Sequence, residues 1–593
     1  MVTLNLNDIV FILEQIKIAE AHSAAIANGQ DPRASLANLV TNPLVPAGLR
    51  TVSGELNNFQ LGMVNSGAAD QAMQRLLTPT WAAAEANIRT GAPTSYAQVS
   101  GSVYDSQPRT ISNLVSDQTL GNFAAISAAL AINGVTGADN LTKTSVIYDA
   151  YKAALGANAA APTEADHLLA IQDPVVAELL VANGIQMEGI SVLLGNVAAD
   201  LGDTAPYNSF FTIFGQFFDH GLDQTNKGGS GSVFIPLQPD DPLYVAGSPT
   251  NFMVLTRATN QPGADGILGT ADDIRENVNQ TTPWIDLNQV YTSNPSHQVF
   301  LREYILVDGS PVATGKMLEG AAGGPPTWAD LKAQALNVLG IQLADVNAHS
   351  VPAILTDLYG RFIPGANGFP QFVMPNGALV EGNLAAPVAG AATASTGRPF
   401  LMDIAHDADP NGIAVADADT VVSAMGTQQT DARGTLLTYD NELLDRHFIV
   451  GDGRGNENIA LTAVHTIFHS EHNRQIDAVK AMLLGSTDVA LLNEYLIVDL
   501  PVNTNLATLS QAQKDALVWD GDRLFQTGRM TTEQVYQHLV FEEFVRAIAP
   551  QIDPFVFSNT AEIPVGISQE FAQVVYRFGH SMLNETVDMF GYQ

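Results

Sequence analysis

The chain has 593 residues, with 61 acidic against 26 basic side chains, a formal net charge of −35, and 46% apolar against 15% charged residues. That length and apolar content suit a large buried core and exclude wholesale disorder. The acidic excess argues against nucleic acid and anionic lipid as partners, and no apolar run approaches the roughly 20 residues of a membrane helix, so no membrane insertion is expected. There is no cysteine, which excludes disulfides, thiolate catalysis, zinc–thiolate sites and iron–sulfur clusters. The first residues, Met1-Val-Thr-Leu-Asn-Leu-Asn-Asp8, lack the basic region, apolar core and cleavage site of an N-terminal signal peptide. Export by such a signal is not expected.

The first helical pattern runs over residues 9–26, with Ile9, Leu13, Ile16 and Ala19 on one face and Asp8 as the expected N-cap. Further helical patterns cover 120–132, 145–155 and 174–183, and stronger ones cover 208–223, 456–484, 531–548 and 568–583. Sustained period-two alternation is scarce. The chain therefore reads as mainly α, with long irregular connections. Residues 226–283 are rich in Gly, Pro and Asp, and residues 362–399 in Gly, Ala and Pro. Each is either a linker between domains or a long loop inside one helical domain. Within the first, Asp265-Gly-Ile-Leu-Gly-Thr-Ala-Asp272-Asp273 has the acids and glycines of a small calcium loop, and equally those of a solvated acidic turn.

Three stretches carry chemistry. In Phe214-Gly-Gln216-Phe-Phe-Asp219-His220-Gly-Leu-Asp223, helical pitch puts Gln216, Asp219, His220 and Asp223 on one face, with Phe217 and Phe218 pointing elsewhere. An amide, two carboxylates and an imidazole thus converge beside large aromatic rings. The second stretch is Gly451-Asp-Gly-Arg454-Gly-Asn-Glu457-Asn, leading into a helix that carries His465, His469 and Glu471-His472-Asn473-Arg474. The three histidines share a face, as in a histidine metal site or a structural helix. The third is Tyr576-Arg577-Phe-Gly-His580-Ser-Met-Leu on an apolar helix.

In this order the three motifs resemble those of the animal-type haem peroxidases of the peroxidase–cyclooxygenase superfamily. Leu49-Arg-Thr-Val-Ser-Gly-Glu-Leu-Asn-Asn58, Pro108-Arg-Thr-Ile-Ser-Asn113 and Trp519-Asp-Gly-Asp-Arg-Leu-Phe-Gln526 look like further landmarks of that family. The resemblance implies a large helical haem peroxidase fold from residue 49 to 593, incomplete at its C-terminus, with loop-rich insertions near 226–283 and 362–399 and an N-terminal helical extension over 1–48. It implies haem b as cofactor. His220 would be the distal acid–base, Gln216 would organise distal water, and Arg454 would face the peroxide and stabilise charge on the departing oxygen. Asp219 and Glu457 would form ester links to haem, His580 would be the axial ligand of its iron, and Arg577 would pair with a propionate. The implied reaction reduces hydrogen peroxide and oxidises a small donor through a ferryl intermediate. The donor is left open among phenols, halides or pseudohalides, and Mn(II).

Departures from the family pattern refine these expectations. The family's calcium loop resembles Thr282-Pro-Trp284-Ile-Asp286-Leu-Asn288, where Thr282, Asp286, Asn288 and the Trp284 carbonyl are candidate Ca2+ ligands. The aspartate that should follow the distal histidine is Gly221, so one charged ligand is missing. Asn458 stands where some members carry a haem-linking methionine, which argues against strong chloride oxidation. Arg577 stands where fatty-acid oxygenases carry a radical-forming tyrosine, which favours the peroxidase branch. The family pattern continues past Gln593, so the resemblance predicts a fragment of a longer chain of the bacterial branch, secreted through a C-terminal signal outside this sequence. The rival from another class is a non-catalytic, calcium-dependent adhesion or matrix module with a degenerate peroxidase fold.

Overall fold

The computed structural model describes the chain except residues 1–3, 41–48, 59–61, 63, 82–84, 87–90, 92, 108–117, 161, 195–206, 240, 242–243, 403–407, 411–413, 423–428, 430–436, 553–563 and 583–593. The landmark at 108–113 therefore lies outside the described residues. Helices dominate, and among the described residues none is long and apolar enough to cross a membrane. The chain divides into two compact units.

The first unit comprises residues 1–76, 207–225 and 278–581 and holds every candidate site residue. Its longest helix is Ile459–Gly485, started by the Asn458 side chain, which accepts from the Leu461 N–H at 2.8 Å. Leu461, Val464, Phe468, Ile476 and Val479 recur at helical spacing and are buried. This helix packs against the helices Gly521–His538 and Ser209–His220. Phe217 stacks on Phe468 at 5.1 Å, and both rings meet Tyr536 edge-on. The same aromatic cluster closes over Phe218, Phe544 and Tyr576.

The opening helix Leu6–Ala27 belongs to this unit and buries Ile9, Leu13, Ile16 and Ala19, the face its sequence pattern predicts. Its cap differs from expectation. Asn5 is the N-cap, and Asp8 sits one turn in, where its Oδ2 accepts from the Asn5 N–H at 2.8 Å. The exchange is a capping box, which leaves Asp8 inside the helix.

Strands occur where the sequence pattern assigned none. The hairpin Arg302–Val307 with Ser310–Met317 packs between the two long helices, with every second residue of its second strand buried. The 226–283 stretch supplies Lys227–Pro236 and Phe252–Ala258, an antiparallel pair. Val103–Tyr104 joins that pair on its other edge as a parallel strand. These belong to the second unit, residues 77–206, 226–277 and 582–593. It also contains a helical cluster around Ile126, Leu130, Ile147, Tyr151, Val176 and Leu180, built from the helices Phe123–Ile132, Gly137–Leu155 and Pro174–Ala182.

In the Asp265–Asp273 turn the carboxylates are used internally. Asp265 accepts from the Ile267 N–H, Asp272 from the Thr270 hydroxyl, and Asp273 from the Gly269 N–H.

Candidate active site

The Ser209–His220 helix starts at Asn208, whose side chain accepts from the Phe211 N–H, and stops at Gly221. Its pitch brings Gln216 and His220 to one side, where they meet Glu457 from the turn before the long helix. Gln216 Nε2 donates to Glu457 Oε2 at 2.7 Å, and His220 Nε2 lies 3.4 Å from the same oxygen. Asn458 Nδ2 donates to Gln216 Oε1 at 2.9 Å, so the Gln216 amide is held at both ends. The expected acid–base residue, its amide partner and one of the two expected haem carboxylates are thus assembled from segments about 240 residues apart.

Arg454 stands behind this group. Its Nε and Nη2 donate to the two oxygens of Asp452 at 2.9 and 2.7 Å. Nη2 also donates to the main-chain carbonyls of His220 at 3.1 Å and Asp223 at 2.9 Å. A cation at the C-terminal end of a helix is electrostatically favoured and here fixes the segment that carries His220. Burial pushes the Asp452 carboxyl up, but the adjoining Arg454 guanidinium outweighs it and holds Asp452 well below the usual carboxylate range. Burial likewise raises Glu457, while the His220 imidazole, Arg454 and the Gln216 amide together hold it below its ordinary value.

The third motif reaches the same helix at two points. Tyr576 donates its hydroxyl to the Gly215 carbonyl at 2.8 Å, and Arg577 Nη1 donates to Asp219 Oδ2 at 2.6 Å. Arg577 Nη2 is also 3.8 Å from Asp223 Oδ1. This segment is wound as one wide π turn, Phe571–Val575, and then a tight 3-10 stretch, Tyr576–Met582, in place of a regular α-helix. His580 lies on the tight stretch, exposed, with no hydrogen bond or ion pair among the described residues.

The three histidines of the long helix do not converge on a common point. His472 Nε2 donates to the Gly315 carbonyl and its Nδ1 accepts from the Tyr291 hydroxyl, while His469 Nε2 donates to the Leu318 carbonyl. They tie the helix to the 302–318 segment. His465 is fully buried near Asp452, with both ring nitrogens unpartnered, and burial pushes it down to about 3, so it is neutral.

The residues present fit a haem. Asp219 Oδ1 and His220 Nδ1 are buried without a partner among the described residues, so the group retains polar capacity that those residues do not satisfy. Two carboxylates, two guanidinium groups and an exposed imidazole form the donor set that haem attachment and ligation need. Asp452, Asn458 and Tyr576 received no role from the sequence, although each adjoins a motif. An acid two residues before a buried arginine was the available signal for Asp452.

At the 282–288 loop, Thr282, Asp286 and Asn288 are buried together. Thr282 Oγ1 donates to Asp286 Oδ2 at 2.6 Å, and Asn288 Nδ2 approaches Asp286 Oδ1 at 3.0 Å. Trp284 offers its carbonyl to Arg50 Nη1 at 3.4 Å. Among the described residues, another group of acids that could gather around an ion is Asp417, Asp419 and Glu442.

The animal haem peroxidase family model matches residues 189–317 and 423–593, just over half of the sequence. The chain belongs to the animal haem peroxidase family. It is 28% identical over 152 residues to a peroxidasin homolog of Caenorhabditis briggsae, covering 25% of this chain and 9% of that protein. It is 25% identical over 146 residues to thyroid peroxidase of Homo sapiens, covering 24% of this chain and 12% of that one. The match thus spans a minor part of these longer relatives. Among solved structures, peroxidase A from Dictyostelium discoideum is similar with a TM-score of 0.37 and 15% identity, covering 90% of this chain and 59% of that chain.

Proposed function

We propose that this chain is a haem-dependent peroxidase that reduces hydrogen peroxide and oxidises a small donor. The observation that carries the reading is the convergence of Gln216, His220 and Glu457, backed by the Arg454–Asp452 pair. Haem b would be held by His580 as the iron ligand, by the Asp219 and Glu457 carboxylates as points of attachment, and by Arg577 at a propionate. When bound, it supplies the redox-active iron for peroxide reduction and donor oxidation.

The His220 imidazole takes the proton from one peroxide oxygen and returns it to the other as that oxygen leaves, acting as general base and then general acid. As the free carboxylate Glu457 is held ionised beside the imidazole; esterified to haem it would keep its place but no charge. Gln216, fixed between Glu457 and Asn458, orients water beside His220. Arg454 holds the end of the distal helix through two carbonyls and sets a permanent positive charge behind the departing oxygen. Phenols, halides or pseudohalides, and Mn(II) are the donor classes that fit this chemistry.

The test is peroxide-dependent oxidation of guaiacol, iodide and Mn(II) by the haem-supplemented chain. Turnover of at least one donor, falling roughly 10²–10⁴-fold in His220→Ala, is the expected result. Unchanged turnover in that variant would reject the acid–base role. The second reading, a non-catalytic module with the peroxidase fold, has the exposed His580, which makes no hydrogen bond among the described residues, in its favour. A folded chain that takes up no haem would support it.

A further inference from the structure

The 282–288 loop is where family resemblance puts a calcium ion, and three contacts occupy that place with the protein's own groups. Asn288 Nδ2 lies 2.8 Å from the Gly221 carbonyl oxygen, 2.8 Å from the Thr282 carbonyl oxygen, 3.0 Å from Asp286 Oδ1 and 3.2 Å from Thr282 Oγ1. The two carbonyls and the carboxylate have no hydrogen to give, and the Thr282 hydroxyl already donates to Asp286 Oδ2. With no cation between these oxygens the amide presents its nitrogen, because the reversed orientation would set Oδ1 against the same lone pairs. Four oxygens around one point are the usual surroundings of a hard cation, and here they surround an N–H donor.

The second contact concerns the missing carboxylate. A Cβ on Gly221 would fall 2.6 Å from Gln289 Oε1 and 2.9 Å from its Cδ. Gln289 is fully buried and fixed there, donating to the Phe217 carbonyl at 3.0 Å and the Tyr536 hydroxyl at 2.9 Å. The room that a side chain at 221 needs is taken. Third, Arg50 brings a positive charge to the Trp284 carbonyl and also lies 3.5 Å from Glu533. The loop is demanding to hold, since Ile285, Leu287 and Thr292 all have positive φ, at 53°, 56° and 65°.

We propose that the Asn288 amide, supported by Gln289 and Arg50, replaces the calcium ion of the family, so that this chain holds the loop without a cation. The inference is independent of peroxidase turnover. It is tested by thermal unfolding of the full chain in EGTA and in millimolar Ca2+, for the wild type, Asn288→Asp and Asp286→Asn. The wild type is expected to unfold at the same temperature in both. Asn288→Asp turns the donor into a carboxylate facing four oxygens, so it should unfold several degrees lower in EGTA and recover in Ca2+. A wild-type calcium stabilisation that disappears in Asp286→Asn would overturn the proposal. One that survives in Asp286→Asn belongs to acidic groups elsewhere and leaves the proposal supported. Should either variant fail to fold, wild-type crystals soaked in terbium(III) decide the matter. A metal peak between Asp286 and the Thr282 carbonyl refutes it, and the Asn288 nitrogen at that point upholds it.

Discussion

The candidate active site and the 282–288 loop are both buried polar clusters, and they differ in what they leave unsatisfied. In the first, Asp219 Oδ1, His220 Nδ1 and both nitrogens of His465 have no partner among the described residues. In the second, Thr282, Asp286 and Asn288 meet one another's donors and acceptors, and the unpartnered Trp284 Nε1 and Gln289 Oε1 belong to the residues flanking them. A buried polar atom without a partner costs about 1–3 kcal/mol, so a fold that carries several in one place is arranged around something that completes them. A cluster that closes on itself is a structural clasp.

That contrast is sharpened by removing one member from each side. Arg454→Ala has the largest expected effect. It removes the clamp on the His220 segment and leaves Asp452 buried without its cation. Peroxide kcat/KM should fall roughly 10²–10³-fold, with a stability loss of about 3–5 kcal/mol in denaturant titration. Asn288→Ala should show the opposite balance, losing about 2–3 kcal/mol of stability with a far smaller change in kcat/KM. Equal effects of the two variants on turnover would erase the distinction between site and clasp.

The next effect is on pH dependence. Burial holds His297, His465 and His472 down to about 3. Their unfolded value is about 6.5, so unfolding takes up protons once the pH drops below that value. Each should withdraw about 1 kcal/mol of stability by pH 5.5. Asp452 and Glu457 are held below the ordinary carboxylate range, so their contribution is complete above about pH 4.5 and is lost only in stronger acid. The acid limb of the stability curve is therefore expected to begin near pH 6.5, and His465→Phe should flatten it in urea unfolding between pH 7 and 5. The smallest expected effect is that of Asn458→Ala. It frees one end of Gln216 and removes a helix cap, for a few-fold loss in kcat/KM and about 1 kcal/mol of stability.

The shared face of the first motif was legible in the sequence because its geometry is local. Gln216, Asp219 and His220 share one helical face whatever the rest of the chain does, and the Phe217 and Phe218 rings beside them pack into the core. What crosses between segments was not legible. The Asn458–Gln216 bond and the Arg454 contacts to the His220 and Asp223 carbonyls depend on which loop meets which helix. The hairpin was missed for a different reason. The inward residues of its second strand are Pro311, Ala313, Gly315 and Met317, mostly too small to give period-two hydrophobic contrast. That smallness is what packing demands, since a Cβ on Gly315 would lie 2.5 Å from Leu524 Cβ, and one on Gly521 would lie 1.8 Å from the Ala313 carbonyl oxygen. For His580, the apolar surroundings suggested a buried helix, whereas the Tyr576–Met582 turn leaves the imidazole exposed.

The central claim is that the orphaned polar groups and the exposed imidazole belong to a haem site. The optical spectrum of the haem-supplemented wild type beside His580→Ala tests it most directly. The account predicts uptake of about one haem per chain by the wild type, with a Soret band that shifts or vanishes in the variant. A folded wild type that takes up no haem, or two identical spectra, would contradict it.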